Sequence, residues 1–274
     1  MELNIETLEK ARKFLADNKA GRYGIRKFFD CSESEARFIR DFFTHEDVIR
    51  DFIQGPTQNT LIIGDLHAPF IRRGYLEFCQ HIRDVYRCDK IIFIGDLVDN
   101  HFTSFHDIDP DGHSAGTELD KAIEQIDGFY RAFPDAFVIL GNHDRIPDRK
   151  AFNAGISSRW IKPIGEILET PKWKYVEQHV HDNVLYTHGE GQQANARMLS
   201  NMQSVVQGHW HSRSYVTYSV GVGHRFFAMQ VGCGIDRKAY AFKYAKDHAK
   251  PHINVGVIAN GVPRLEYMEL GGKH

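Results

Sequence analysis

The 274-residue sequence lacks the features that mark membrane-spanning and secreted proteins. No apolar run approaches the roughly 20 residues that a membrane-spanning helix needs. The amino-terminal segment Met1–Glu6 is acidic and lacks the apolar stretch of a secretory signal peptide. The four cysteines include no Cys-x-x-Cys pair, a pattern that favours free thiols in a reducing compartment. These absences predict a soluble cytoplasmic protein that has no membrane partner.

An excess of charge of one sign is also missing. The formal net charge is −2, which gives no overall electrostatic reason to expect a nucleic acid or a membrane surface as partner. The chain also contains no internal repeat and no low-complexity segment. Its length exceeds one average domain but fits a large α/β domain with a small added module.

The first 54 residues predict a small all-helical module. Apolar residues recur at helical spacing over positions 5–18, and a second short helix fits positions 23–29. Ser32-x-x-Glu35 is a capping-box signature that begins a third helix, which extends to Phe43. A helix, a short turn and a capped helix together form the outline of a helix-turn-helix.

This outline leaves two hypotheses for the module. A DNA-binding helix would present Arg37 and Arg40 outward, as candidates for contacts with phosphates or base edges. Basic and acidic residues balance over the first fifty positions, however, whereas DNA-binding modules usually carry a basic excess. The alternative is a structural cap or a dimerisation element. A further helix capped by Thr44 and a linker at positions 55–58 lead into a second domain, predicted over residues 55–274.

Strand and helix signals alternate from Thr60 onward. Strands are predicted up to Gly64, over 90–94 and over 136–140, with helices over 75–86 and 119–133 between them. This alternation predicts a parallel-centred sheet covered by helices.

Farther along the chain the helix signals weaken. The best candidates for helices are positions 160–168 and 192–202, and the later strands follow one another more closely. Asn260-Gly261 between two apolar runs predicts a β-hairpin. The resulting fold class is α/β, with two sheets packed as a sandwich and flanked by helices, in addition to the small helical module.

Five apolar runs end in polar side chains that can bind metals. The five motifs are Gly64-Asp65-Leu66-His67, Gly95-Asp96-Leu97-Val98-Asp99, Gly141-Asn142-His143-Asp144, His188-Gly189 and Gly208-His209-Trp210-His211. Because the carboxyl ends of parallel strands share one edge of a sheet, these side chains are expected to converge. A buried core histidine would account for one such motif, but not for all five.

The ordered set of motifs resembles the calcineurin-like metallophosphoesterase superfamily over roughly residues 60–235. The resemblance implies hydrolysis of phosphate esters by a water that two divalent ions activate. It implies a first ion held by Asp65, His67, Asp96 and His211, and a second held by Asp96, Asn142, His188 and His209. Asp96 would bridge the two ions. Mixed oxygen and nitrogen ligands suit Mn²⁺ best, with Fe, Zn²⁺ or Ni²⁺ as alternatives, and suit Ca²⁺ less well.

The resemblance also implies catalytic roles for two residues. His143 would stabilise or protonate the leaving oxygen, and Asp99 would hydrogen-bond that imidazole and define its tautomer. Protein phosphatases of this superfamily carry an arginine and a glutamate where this chain has Asn100 and Asp144. The departure weakens a protein-phosphatase interpretation and favours the phosphodiesterase and nuclease branches.

The long loop over 100–116 follows a catalytic strand and suggests substrate contacts. His106 is the favoured candidate there, together with Asn100 and Arg145, although solvated loop histidines explain the pattern as well. Arg145, Arg149 and Arg159 could bind further phosphates or form only surface salt bridges.

Three functions are compatible with the sequence of the whole chain. A phosphodiesterase acting on nucleic acid, with DNA as a candidate substrate, ranks first, and a phosphomonoesterase acting on protein or nucleotide ranks second. The third is a DNA-binding regulator whose phosphoesterase fold is inactive. Candidates at all seven ligand positions argue against an inactive site.

Overall fold

The computed structural model describes residues 22–44, 59–105, 109–236, 238–239 and 250–269, together with residues 10 and 14. The chain divides into two compact units, residues 1–57 and 58–274. Four predictions lie outside the described residues: most of the helix over 5–18, the helix capped by Thr44, the linker at 55–58 and the domain boundary after residue 54.

The first unit contains helices α1 (Arg22–Phe29) and α2 (Glu33–Thr44). Ser32 and Glu35 form the predicted capping box. The Glu35 N–H donates to Ser32 Oγ at 3.2 Å, and the Ser32 N–H donates to Glu35 Oε2 at 2.8 Å. Two backbone donors are thereby satisfied at the start of α2. Ile25, Ala36 and Ile39 form a small buried cluster between the helices, so both predicted helices are confirmed.

The described part of the second unit has eleven strands in two sheets. They are β1 (Thr60–Ile63), β2 (Lys90–Phe93), β3 (Phe137–Ile139), β4 (Lys174–Val176), β5 (Gln178–His181), β6 (Val184–Thr187), β7 (Ser204–Gln207), β8 (Tyr215–Gly221), β9 (His224–Gln230), β10 (Asn254–Ala259) and β11 (Val262–Tyr267). The first sheet has the order β11-β10-β1-β2-β3-β4 and the second β5-β6-β7-β9-β8. Strands β1 to β4 are parallel, as are β6, β7 and β9, and antiparallel strands complete both sheets.

Five helices accompany the sheets in the described part of the second unit. They are α3 (Tyr75–Tyr86), α4 (Ala115–Ala132), α5 (Ile146–Asn153), α6 (Ile164–Ile167) and α7 (Ala194–Asn201), with a 3₁₀ turn at Ser158–Trp160. Among the described residues, no helix is both long and apolar enough to cross a membrane.

The sequence of β1 shows how the layers form. Leu61 and Ile63 pack against α3 and α4, whereas Ile62 faces the second sheet. A strand buried on both faces is apolar throughout, which explains the unbroken apolar run. Side chains of α7 pack on the far side of the second sheet. The predicted two-sheet α/β sandwich flanked by helices is therefore confirmed.

One predicted helix was wrong, and one observed helix was not predicted. The helix predicted over 160–168 is reduced to the 3₁₀ turn and the four residues of α6, because Pro163 lacks an N–H and disfavours helix in the residue before it. Helix α5 was not predicted at all. The segment has few apolar residues and contains Pro147, so it shows no clear apolar periodicity of a helix. A proline is nevertheless well tolerated in the first turn.

The predicted hairpin is confirmed at the end of the chain. Strands β10 and β11 pair in antiparallel register and are joined by Asn260 and Gly261. Their φ angles are 50° and 73°, as the favoured two-residue turn requires of its central residues.

Candidate metal centre

The predicted ligands converge at the carboxyl ends of β1, β2, β3, β6 and β7. Ligand atoms of Asp65, His67, Asp96 and His211 all lie within 4.8 Å of one another, and so do those of Asp96, His188 and His209. Asn142 joins the second group, because its Oδ1 lies 3.0 Å from His188 Nε2. The structure thus brings together all seven residues in the two predicted groups, with Asp96 common to both.

Glycines in the motifs leave room for the carboxylates. A Cβ atom at Gly141 would lie 2.0 Å from Asp96 Oδ1, and one at Gly208 would lie 2.3 Å from Asp65 Oδ1. These distances are far below any allowed contact, so each carboxylate occupies the space of the missing side chain. The glycines therefore do more than end a strand: they allow the chain to approach the ligands.

Three of the ligand residues have a left-handed backbone. The φ angles are 50° at His67, 47° at Asp96 and 71° at His209. Such residues cost roughly 1–3 kcal/mol each and persist where surrounding contacts enforce them. Here the His143 N–H donates to Asp96 Oδ1 and the His209 N–H donates to Asp65 Oδ2, both at 2.8 Å. Backbone donors from later strands thus hold the two carboxylates in place.

The donor set around His188 fits a cation better than a proton. Its Nε2 lies 3.1 Å from Asp96 Oδ2, 3.0 Å from Asn142 Oδ1 and 3.2 Å from His209 Nδ1. One N–H can donate to only one of these atoms, whereas a metal ion accepts lone pairs from all four. In the first group, Asp65 Oδ1 is buried and accepts no hydrogen bond from the described residues.

Electrostatics at the centre also favour positive charge. Burial alone would lower the pKa of His188, but the carboxylates of Asp96 and Asp65 raise it to about 10. Burial would raise the pKa of Asp96, yet His188 and the other nearby imidazoles hold it well below its usual range. The cluster therefore stabilises a cation among buried carboxylates, as a divalent metal site requires.

Asp99 meets both His67 and His143, but through different atoms. Its carboxylate Oδ1 lies 2.6 Å from His67 Nδ1 and 3.8 Å from His143 Nδ1. His143 Nδ1 instead donates to the backbone carbonyl of Asp99 at 2.6 Å. The Asp99 N–H also donates to Ala68 O at 3.0 Å, which places the carboxylate beside the β1 motif. The expected contact with His143 is thus made by the backbone, and the carboxylate orients a predicted metal ligand.

His143 is only partly buried at the edge of this cluster. Burial lowers its pKa, but the charges of Asp96 and Asp99 outweigh that effect, so the pKa is raised above its ordinary value. An imidazole whose Nδ1–H is held by a carbonyl has a defined tautomer. The side chain can therefore hold a proton beside the predicted metal ligands.

Asp144 connects two of the ligand loops. The Gly141 N–H donates to its Oδ2 at 2.8 Å, and the Val98 N–H donates to its Oδ1 at 3.2 Å. Burial and the nearby Asp96 raise its pKa to about 6. Its role in the structure is to join the loop after β3 to the loop after β2.

Two of the three residues predicted to contact substrate make contacts within the protein instead. The Asn100 amide donates to His143 O at 2.9 Å, so it supports the loop that carries His143. Arg145 pairs with Glu177 and, at 3.3 Å, with Glu190. Its charge is therefore balanced by two carboxylates. His106 lies outside the described residues.

The predicted DNA contacts lie on α2. Arg37 is exposed, and the side chain of Arg40 lies outside the described part of the chain.

Glu118 is a buried residue that sequence reasoning overlooked. Its carboxylate accepts from the His101 N–H at 2.6 Å and from the Phe102 N–H at 3.1 Å. It therefore holds the loop after Asn100 in one conformation. A glutamate in the first turn of a helix that follows a long polar loop is the only signal that could have revealed it, and such residues are usually solvated.

One family model and several solved structures are similar to this chain. The family model for calcineurin-like phosphoesterase matches residues 59–248. The phosphoesterase YfcE from E. coli is 14% identical, with 75% of this chain and 90% of that chain covered at a TM-score of 0.38. The nuclease MPE from Pseudomonas putida is 14% identical, with 76% and 87% covered at a TM-score of 0.33. Vps29 from Chaetomium thermophilum is 10% identical, with 77% and 95% covered at a TM-score of 0.38.

A search of curated proteins found no match. The family model nevertheless spans well over half of the chain, and the clustered aspartates and histidines supply the ligands that such enzymes need. This chain therefore belongs to the calcineurin-like phosphoesterase family and is a metal-dependent hydrolase of phosphoric esters.

Proposed function

We propose that this enzyme is a phosphodiesterase that acts on nucleic acid at a dinuclear metal centre. Asp65, His67, Asp96 and His211 would hold one ion, and Asp96, Asn142, His188 and His209 the other. Mn²⁺ is the proposed ion, because the mixed oxygen and nitrogen ligands include no thiolate. When bound, the two ions would supply Lewis acidity and lower the pKa of a water molecule.

The shared position of Asp96 supports a dinuclear centre. Its Oδ2 lies 3.6 Å from His67 Nε2 and 3.1 Å from His188 Nε2, so one carboxylate oxygen borders both groups of ligands. A bridging carboxylate needs this central position.

The diesterase proposal depends mainly on how little positive charge Asn100 and Arg145 provide beside His143. A phosphate monoester carries up to two negative charges at neutral pH, whereas a diester carries one. Of the described residues predicted to contact substrate, neither adds an unpaired positive charge beside His143: Asn100 is neutral and supports the backbone, and Arg145 is neutralised by two glutamates. The lower charge of a diester matches this arrangement.

His143 would supply the proton for the leaving oxygen. Its Nδ1–H donates to the Asp99 carbonyl, which leaves Nε2 as the atom that can exchange a proton with substrate. The raised pKa keeps a larger share of the imidazole protonated near neutral pH than an ordinary histidine would have. Both features suit a general acid.

The proposal is tested with the full chain in Mn²⁺. Turnover is compared on bis(4-nitrophenyl) phosphate, on 4-nitrophenyl phosphate and on labelled single- and double-stranded DNA. We expect faster turnover of the diester than of the monoester, and cleavage of DNA. A preference for the monoester would refute the diesterase, and diester hydrolysis without DNA cleavage would refute the nucleic-acid substrate. Asp96→Asn serves as the inactive control.

A further inference from the structure

We infer that an exposed surface next to the metal centre binds single-stranded nucleic acid by stacking its bases on aromatic side chains. This stacking surface consists of Phe102, Phe105, Arg149, Phe152, Arg159 and Trp160. The inference rests on the proposed function and names the form of nucleic acid that the enzyme takes.

Aromatic exposure at this surface is unusual for a folded domain. Phe152 is 82% exposed and Trp160 83%, while Phe105 is 53% and Phe102 40% exposed. These are four of the six large aromatic residues that are exposed in the described part of the second unit. Large aromatic side chains are mostly buried, and a cluster of exposed ones marks a binding surface.

The surface adjoins the catalytic residues along the chain and in space. Helix α5 begins at Ile146, three residues after His143, and the 3₁₀ turn that ends at Trp160 contacts α5. Phe152 follows Ile146 by six residues, which is about 9 Å along the helix axis. On the other side, the Asn100 amide donates to His143 O two residues before Phe102. The segments that carry these aromatic rings therefore begin directly beside the loop that contains His143.

Hydrogen bonds anchor the loop that carries Phe102 and link it to α5. Glu118 accepts from the N–H groups of His101 and Phe102. Lys150 Nζ donates to Ser104 O at 3.0 Å, which ties α5 to the loop that carries Phe102. A surface that is already ordered loses less entropy when it binds a flexible strand.

The charge of the surface is complementary to a phosphate backbone. Residues 145–162 contain five basic residues and one acidic residue, in a chain whose net charge is −2. Arg145 and Lys162 pair with glutamates. Within the described residues, no carboxylate lies within 4.0 Å of the guanidinium groups of Arg149 and Arg159, so their charges can meet phosphates.

The mixture of rings and cations identifies the occupant. The Arg149 guanidinium lies 5.1 Å from the centre of the Phe105 ring, so basic and aromatic groups interleave. Single strands bind to such mixtures because their base faces are free to stack, whereas a duplex hides those faces. A second copy of the chain, docked face to face, would bring this basic segment against itself, and like charges oppose that contact.

The test uses the full chain in Mn²⁺ and two substrates. One is a labelled oligothymidylate of about 12 nucleotides, and the other is bis(4-nitrophenyl) phosphate. The measured quantity is the ratio of kcat/KM on the oligonucleotide to kcat/KM on the small diester. We expect the double variant Phe152→Ala, Trp160→Ala to lower this ratio roughly 10- to 100-fold, as the loss of base stacking predicts.

Matched variants separate stacking from general damage. Phe152→Tyr, Trp160→Phe keeps two aromatic rings and should keep the parent ratio. Tyr218→Ala, Tyr267→Ala removes the other two exposed aromatics, on β8 and β11, and should also leave the ratio unchanged. Arg149→Gln, Arg159→Gln should reduce the salt dependence of oligonucleotide binding by about 0.7 in slope for each lost phosphate contact.

The outcomes distinguish this inference from the proposed function. A parent enzyme that turns over the small diester but neither binds nor cuts the oligonucleotide refutes the nucleic-acid substrate and, with it, the stacking surface. A parent that cuts the oligonucleotide, with an unchanged ratio in the alanine double variant, refutes the stacking surface alone. An alanine variant that loses only self-association in light scattering would identify an interface between copies and overturn the inference.

Discussion

Replacing Gly141 by alanine should disable the metal centre although it adds a single methyl group. The new Cβ would lie 2.0 Å from Asp96 Oδ1 and 2.3 Å from the Asp96 backbone nitrogen. The nitrogen is part of the backbone and the carboxylate is held by the His143 N–H, so neither atom can move aside without disturbing the site. The carboxylate that borders both groups of ligands must therefore shift.

The size of the effect follows from these distances. Carbon and oxygen atoms that are not bonded to each other need a separation of at least about 3 Å, so Asp96 or the Gly141 loop must move by roughly 1 Å. That movement breaks the 2.8 Å hydrogen bond from the His143 N–H to Asp96 Oδ1. Because a displacement of about 1 Å in an active site can cost on the order of 100-fold in rate, we expect at least that loss in kcat/KM.

The assay combines metal content, turnover and melting temperature. Gly141→Ala should bind less Mn²⁺ than the parent and hydrolyse bis(4-nitrophenyl) phosphate at least 100-fold more slowly. Gly116→Ala is the matched control, because a Cβ there meets nothing within 4 Å and the residue lies in α4. That control should keep full activity and gain up to about 1 kcal/mol of stability. If Gly141→Ala kept the metal content and activity of the parent, the Asp96 carboxylate would not need the space left by Gly141, and the reasoning would be refuted.

Other substitutions test individual roles. Asp96→Asn should lose bound metal and nearly all turnover, as measured by elemental analysis and kcat, because both ions would share that carboxylate; full occupancy in the variant would contradict the bridge. His143→Ala should retain both ions yet lose roughly 10²- to 10⁴-fold in kcat on a substrate with a poor leaving group; parent-like turnover there would remove it from the mechanism. Burial raises the pKa of Glu118, so the stability linked to its neutral form is complete below the unfolded-state pKa and declines as pH rises through the folded-state pKa. The free energy of unfolding of Glu118→Gln relative to that of the parent should therefore rise as the pH increases above 4.5, measured by urea unfolding, and a difference independent of pH would argue against this linkage. Arg37→Ala, Arg40→Ala should weaken DNA binding and flatten its salt dependence without changing turnover of the small diester if α2 contacts DNA; binding equal to that of the parent would leave the helices as a structural cap.

The sandwich and the convergence of the ligands were predictable because their causes are local. The run Leu61–Ile63 is apolar because both faces of β1 are buried, and the glycine after it ends the strand. Parallel strands share an edge, so polar residues after β1, β2 and β3 meet without any knowledge of distant contacts. The bounds of α3 were also predictable, since the apolar period changes clearly at both of its ends.

The division of tasks within the site was not predictable. Asp99 lies in a motif whose resemblance pairs it with His143, yet its carboxylate meets His67, because the 68–98 bridge sets the register of the two loops. Arg145 is neutralised by Glu177 and Glu190, which follow other strands. Such pairings depend on sheet register and loop conformation, and the spacing of residues in the sequence predicts neither.

Exposure of the stacking surface also became visible only in three dimensions. Phe152 and Trp160 are residues that a sequence pattern assigns to a core, and the structure leaves both more than four-fifths exposed. The sequence by itself determined which segments form strands, where they end and which ligand types gather there, because burial and chain reversal act on neighbouring residues. The tertiary structure alone decided which carboxylate orients which imidazole, which arginine keeps its charge and which rings face solvent, because those outcomes depend on residues far apart in the chain.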